Sequence, residues 1–315
     1  MSKDKLNNVV ASVRQRLSNI ARTNGVDFNL LLTHFAIERF LYRLCKSDYK
    51  NQFILKGAML FRIWANQSYR PTRDLDLLAN SINPNIPLES LFESVCNQSV
   101  EDDGITFDSK TLRSEPIKEG QTYEGIRIHI ECRLGQAKIS LQIDVSHGDA
   151  VIPKPIELAF PTILQFPEPH LFAYQKETVI AEKFQTMVVL GIANSRMKDF
   201  FDLWYLSKNF EFDGAILCQS ISATFGLRKT PIPTQIPISL TSDFGDDPTK
   251  IKQWKAFVSK SKLDVESECL NEICNTLQEF LMPLVVSISN QIKLNQNWVQ
   301  PGIWKVNQIE KPNFY

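Results

Sequence analysis

The chain has 315 residues, of which 43% are hydrophobic and 22% charged, with 35 Lys plus Arg against 35 Asp plus Glu. That is the composition of an ordinary globular protein, with room for one large domain or two smaller ones. A formal net charge of zero excludes nucleic-acid binding through bulk charge and leaves a local basic patch as the route. No apolar run approaches the roughly twenty residues that span a bilayer, so no membrane role is expected. The six cysteines (Cys45, Cys96, Cys132, Cys218, Cys269, Cys274) show no CxxC pair, and Cys269 and Cys274 are off the usual zinc spacing. With no signal peptide expected, they read as free thiols of a cytoplasmic protein.

In chain order, Leu6, Val9, Val10, Val13 and Leu17 repeat with helical period, and Phe28 to Leu44 repeats the pattern after a turn at Asn24-Gly25. Arg14, Arg16 and Arg22 read as a solvated face rather than an RNA contact. Phe53 to Leu60 is a short apolar run leading through Lys56-Gly57-Ala58 into a helical pattern (Leu60, Phe61, Trp64). Glycine at such a helix start lets backbone N–H groups approach a phosphate, which the helix dipole also favours.

The stretch Arg70-Pro71-Thr72-Arg73-Asp74-Leu75-Asp76-Leu77-Leu78 carries most of the chemistry. Strand side chains alternate, so Asp74 and Asp76 share one face while Leu75 and Leu77 point into a core. Paired carboxylates at that spacing suit a hard divalent cation such as Mg²⁺, although so short a motif also fits two unrelated acids at a solvated strand end. After a loop (80–87), Leu88 to Val100 is a short amphipathic helix, and Asp102-Asp103-Gly104 turns the chain into strands. Ile126, Ile128 and Ile130 alternate with Arg127, His129 and Glu131. Gly135-Gln136 makes a hairpin turn, and Ile139 to Val145 returns antiparallel with Asp144 on the outward face. His129, His147 and Asp149 read as half-exposed residues rather than catalytic ones. A glycine-led helix, a DxD strand and a separate Asp strand follow the layout of the nucleotidyltransferase fold.

A proline-rich passage, Ile152 to Pro169, leads to a helix over Lys176–Leu190. At about 100° per residue its apolar face has Lys183 in the middle. An ammonium there needs a carboxylate or a phosphate. In the next predicted helix, Ser195–Asn209, Asp199 lies within an apolar stripe, flanked by Arg196 and Asp202, with Ser195 as N-cap. Lys183 and Asp199 would either lock two helices together or present Lys183 to nucleotide phosphates with Asp199 and Asp202 orienting it. A Pro/Ser/Thr-rich connector (226–248) precedes helices at about 249–260 and 264–289, and a tail with Trp298 and Trp304 that packs on the body.

These motifs, in this order, resemble the AbiEii/AbiGii family of nucleotidyltransferase-like toxins of type IV toxin–antitoxin and abortive-infection systems. The carrying residues are Lys56-Gly57-Ala58, Arg70 to Leu77, Ile143-Asp144-Val145 with Gly148-Asp149, Glu177 to Lys183, and Asn194 to Leu203. The resemblance implies an α/β (α+β) protein: a nucleotidyltransferase-like mixed sheet flanked by helices over residues 1–165, and a largely helical lobe over 166–315. It implies Mg²⁺, an NTP, transfer to an RNA such as tRNA, and a cognate antitoxin acting without stable binding. Where the wider superfamily has Gly-Gly or Gly-Ser, this chain has Gly57-Ala58, so the hydroxyl is lacking and phosphate contact falls to backbone N–H groups, Lys56, Arg73 or Lys183.

The expected chemistry is metal-assisted nucleotidyl transfer. Asp74, Asp76 and Asp144 are the metal and catalytic acids. Lys56, Gly57, Ala58, Arg73, Lys183 and Asp202 bind the nucleotide. Lys183 neutralises the leaving pyrophosphate, and Asp199 and Asp202 orient it. The competing readings are a catalytically silent nucleotide-binding regulatory module and a metal-dependent nuclease using the same acids.

Overall fold

In a computed structural model, the residues described are 3–65, 70–80, 82, 86–117, 125–263, 269–300 and 302–306. The expected helical start at 264–268, the end of the tail (307–315) and the Leu6 side chain lie outside this description. The chain divides into two compact units, Met1–Asp149 with Pro155–Tyr174, and Ala150–Lys154 with Gln175–Tyr315.

The first unit opens with α1 (Lys3–Asn24) and α2 (Phe28–Lys46), separated by Gly25 at φ +64°. Asp27 caps α2 by accepting from the Leu30 N–H at 2.8 Å. The α2 face bearing Phe35, Ile37, Phe40 and Leu41 is fully buried, and Arg14, Arg16 and Arg22 on α1 are exposed. Next come β1 (Phe53–Lys56), α3 (Phe61–Trp64), β2 (Asp74–Ala79), α4 (Leu88–Cys96), β3 (Ile105–Ile117), β4 (Gly125–Leu134), β5 (Ala137–His147), β6 (Ile156–Ala159) and β7 (His170–Ala173). They form a seven-stranded mixed sheet in the order β3-β4-β5-β2-β1-β7-β6.

Three features place the site. The β4–β5 hairpin turns at Gly135 (φ +62°), fixing Leu134 opposite Ala137. β5 then lies parallel to β2 in the middle of the sheet, and β1 runs antiparallel on the other side of β2. Alternation is as the sequence predicts: Leu75, Leu77, Ile143 and Val145 are inaccessible, while Asp74, Asp76 and Asp144 are partly exposed. The proline-rich passage does more than connect. It supplies β6 and leads directly into β7, which pairs parallel to β1.

The second unit contains α5 (Lys176–Leu190), α6 (Met197–Asn209), β8 (Phe212–Asp213), α7 (Gly214–Leu227), α8 (Ser242–Gly245), α9 (Pro248–Ser261), α10 (Leu270–Ser289), β9 (Gln296–Val299) and β10 (Ile303–Val306). α5 has the predicted bounds. α6 begins at Met197, two residues later than predicted, and Ser195 does not cap it. The Asn194 side chain takes the Arg196 N–H instead, at 2.9 Å. The connector is shorter than expected, because α7 and α8 occupy part of that region. Trp298 is buried, donating to the Ser207 carbonyl at 2.6 Å, and Trp304 stacks on Phe280, so both tail indoles pack on the body.

Candidate active site

Strand register lines up a row of charged residues. Lys56 on β1 faces Asp76 on β2, Asp76 faces Asp144 on β5, Asp144 faces Arg127 on β4, and Arg127 faces Glu115 on β3. Residues paired across neighbouring strands share a face, with strands about 4.8 Å apart. The row therefore crosses five strands on one side of the sheet, and Asp74, two residues before Asp76, joins it on that side.

Each member is positioned by something specific. Gly57, at φ +71°, lies directly under Asp76, and a Cβ there would overlap the Asp76 carboxylate. The glycine is thus required by the acid as well as by its own backbone conformation. The helical run it leads is only a 3₁₀ turn (Gly57–Leu60) running into the four-residue α3, so the expected phosphate cradle at Lys56-Gly57-Ala58 has little helix behind it. The Lys56 ammonium donates to Asp149 Oδ2 at 2.6 Å and to Ser146 Oγ at 3.3 Å, and lies 5.2 Å from the Tyr174 ring centroid. Asp149, read from the sequence as a bystander, is the counter-ion of the β1 lysine.

Asp144 is held from the neighbouring strand. Arg127 Nε and Nη2 donate to Asp144 Oδ1 and Oδ2, both at 2.8 Å, and Gln142 Nε2 adds a 3.3 Å bond to Oδ1. Hydrogen bonding to Asp144, with the charges of Asp144, Asp74 and Glu115, holds the Arg127 guanidinium above its ordinary pKa. His129, two pairs along β4, meets Glu115 at 3.1 Å and faces Gln142, not Asp144.

The segment entering β2 is anchored from below. His34 Nε2 lies 2.7 Å from the Thr72 carbonyl, and Arg62 Nη1 lies 2.8 Å from His34 Nδ1. An arginine can only donate and a carbonyl only accept, so the ring is neutral, protonated on Nε2. Burial and the Arg62 charge push its pKa down to about 4. Arg73, expected at the nucleotide, is 67% exposed and 3.7 Å from Asp27.

In the second unit Lys183 meets Asp199 at 2.5 Å and Asp202 at 2.9 Å, and Arg196 Nε meets the other Asp199 oxygen at 2.7 Å. Both carboxylates are buried. Burial would raise the Asp199 carboxyl, but the charges of Lys183 and Arg196 outweigh it and hold the pKa below its ordinary value.

The sequence pattern of the family described as nucleotidyl transferase AbiEii toxin, type IV TA system, matches residues 39–281. The chain belongs to the AbiEii family. Among curated proteins nothing matches it. Among solved structures it is similar to JHP933 from Helicobacter pylori, at 14% identity and a TM-score of 0.45, covering 83% of this chain and 94% of that one. It is also similar to a second H. pylori structure described as a candidate nucleotidyltransferase, at 13% identity and a TM-score of 0.46, covering 84% and 99%.

As an AbiEii nucleotidyltransferase the chain implies an NTP substrate and an antitoxin, and enzymes of this family generally use a divalent metal such as Mg²⁺. Asp74 and Asp76 fit that metal: two hard oxygen donors on the partly exposed face of one strand. Asp144, the third acid of the expected set, stands opposite Asp76 and accepts from Arg127. Among the described residues no group of three or more His, Cys, Asp or Glu side chains is placed to hold a metal ion, and Asp144 is turned to Arg127. No helix of the described residues is long and apolar enough to cross a membrane.

Arg127 and Asp149 join the row of the candidate site, a placement the sequence reading did not give them: it put Arg127 on an outward strand face and read Asp149 as half-exposed. Arg127 was within reach: counting equal numbers of residues outward from the Gly135-Gln136 turn brings 127 opposite 144.

Proposed function

We propose that this AbiEii protein transfers a nucleoside monophosphate from an NTP to a hydroxyl of an RNA acceptor such as tRNA. The observation that supports this most is the register: Asp76 faces Asp144 across the β2–β5 ladder, with Asp74 beside them and the Asp76 carboxylate seated over Gly57. That arrangement gathers acids at the middle of a sheet from segments far apart in the chain.

Asp74 and Asp76 would hold Mg²⁺, which when bound supplies charge neutralisation at the phosphates and at the attacking and leaving oxygens. The acceptor oxygen forms a bond to the α-phosphorus as the α–β bridging P–O bond breaks, and pyrophosphate departs with that electron pair. The acceptor's proton passes to a neighbouring base or to water. The 3₁₀ turn after Lys56 lets Asp76 approach the backbone, and the His34–Thr72 bond fixes the strand entry that carries Asp74. Lys183, expected from the sequence to meet phosphate, has two carboxylates at hydrogen-bond distance, and we assign it, with Asp199 and Asp202, to holding α5 against α6. An antitoxin acting without stable binding needs no docking surface.

Incubating the protein with total RNA, Mg²⁺ and each of the four α-labelled NTPs tests the reading. Label on RNA with wild type and none with Asp76→Asn supports it. Nucleotide retained without labelled RNA identifies a silent binding module, and shortened RNA a nuclease.

A further inference from the structure

The row on the sheet contains an arginine where the chemistry asks for another acid's freedom. Asp144 Oδ1 accepts from Arg127 Nε and Gln142 Nε2, and Oδ2 from Arg127 Nη2. A carboxylate offers about four lone-pair sites, so three are engaged, two of them by a fork whose geometry matches the carboxylate. A carboxylate so occupied is a poor ligand for a cation, and recruiting it would strip the guanidinium of its partner. Arg127, in turn, uses only two of its three nitrogens on Asp144. Nη1 takes part in neither bond, and the side chain is 28% exposed. It stands one strand beyond Asp144 from Asp76 and feels the charge of Asp74 as well.

The other cations near the row are placed differently. Lys56 has the buried Asp149 as counter-ion, and Arg73 is exposed beside Asp27. A substrate carrying several negative charges cannot settle against Asp74, Asp76 and Asp144 without a cation on the same face, and a guanidinium held in place by a carboxylate is the group best shaped for phosphate oxygens.

From this we infer that Asp144 serves as the positioning residue for Arg127, and that Arg127 is the polyphosphate-binding cation of the site, with the metal left to Asp74 and Asp76. This rests on the nucleotide-dependent reading above and divides the roles within it: the strand acids split into a metal pair on β2 and an arginine holder on β5.

The test separates metal from anion with two simple probes on the full chain: Mn²⁺ alone, followed by electron paramagnetic resonance, and inorganic tripolyphosphate with Mg²⁺, followed by calorimetry. Asp144→Asn is expected to keep Mn²⁺ affinity within about twofold and to lose roughly tenfold in tripolyphosphate affinity, because the fork that holds Arg127 is weakened. Arg127→Ala loses about tenfold or more for tripolyphosphate, and the double variant loses no more than Arg127→Ala, since two residues acting through one contact are not additive. Arg127→Lys keeps the charge but not the fork and falls in between; with a native circular-dichroism spectrum it carries the test should the alanine variant not fold.

Asp144→Asn weakening Mn²⁺ as strongly as Asp76→Asn, or Arg127→Ala binding tripolyphosphate like wild type, overturns the assignment. Failure of the underlying reading looks different: Asp76→Asn would leave Mn²⁺ binding intact, or labelled RNA would never form.

Discussion

Two clusters in this protein use the same residue types to opposite ends. On the sheet, Asp74, Asp76 and Asp144 sit with Lys56 and Arg127 on a partly exposed face. Between α5 and α6, Asp199 and Asp202 sit with Lys183 and Arg196, and the two carboxylates are 1% and 0% exposed. The first keeps carboxylates within reach of solvent, where a ligand can compete for them. The second has removed them from water, and a buried ion is tolerated only while its partners remain. Charge near charge is therefore no guide to function until exposure is known. In the assignment proposed above, the sheet row is the candidate site and the helix pair is a fastener.

The contrast can be broken most directly at Asp199. Asp199→Ala leaves Lys183 and Arg196 without a shared acceptor and should cost about 3–5 kcal/mol of stability in a urea melt, whereas Asp76→Asn should cost far less while abolishing transfer. A loss under about 1 kcal/mol for Asp199→Ala would place that cluster with the exposed row instead.

Glu38 sharpens the point within the first unit. It is fully buried, accepts from the Ile163 N–H at 2.7 Å, and its other oxygen has no hydrogen-bond partner among the described residues. Asp199 is buried with good partners and ionises easily. Glu38 is buried with poor ones, and burial pushes its carboxyl up to about 7 from 4.5. The folded pKa lies above the unfolded one, so the contribution is complete below about pH 4.5 and is lost as pH rises through about 7, some 3 kcal/mol in all. Urea melts at pH 5 and pH 8 should show this loss in wild type and a flatter profile in Glu38→Gln.

Gly57→Ala comes next. The residue must leave φ +71° or bear it, and Asp76 must move. About 1–3 kcal/mol of destabilisation is expected, with transfer reduced more than tenfold while the second unit's hydrogen exchange is unchanged. The smallest effect belongs to Arg73→Ala. Its exposed pairing with Asp27 should be worth under about 0.5 kcal/mol, so a fall in nucleotide affinity without a change in melting would reveal a phosphate contact.

Much of the fold was legible because strand and helix periods are local. The alternation of Ile139 to Val145 put Asp144 on the outward face, and Lys176–Leu190 was read to the residue. α7 escaped because Gly214–Leu227 mixes Ser, Thr and Gln with apolar residues and carries no charged face to set off a stripe. β6 and β7 escaped because four-residue strands amid prolines leave almost no period to detect. The acids of the site were legible as types, but their partners were not. Arg127 needed a hairpin register, and Asp149 needed β1 to be placed across β2 from β5, so that Lys56 meets a residue 93 positions away.

The parallel pairing of β2 with β5 carries a consequence for the order of assembly. Every other pairing among β2, β3, β4 and β5 is antiparallel between consecutive strands, closed by nearby chain. Bringing Asp76 beside Asp144 instead requires closing a long excursion, the slowest kind of event in a folding chain. A nascent polypeptide released from the ribosome before residue 137 would carry the DxD motif and the glycine beneath it, yet lack the central strand that completes them. The candidate surface is thus complete only once β5 has been made, and a chain cut short before that strand lacks Asp144.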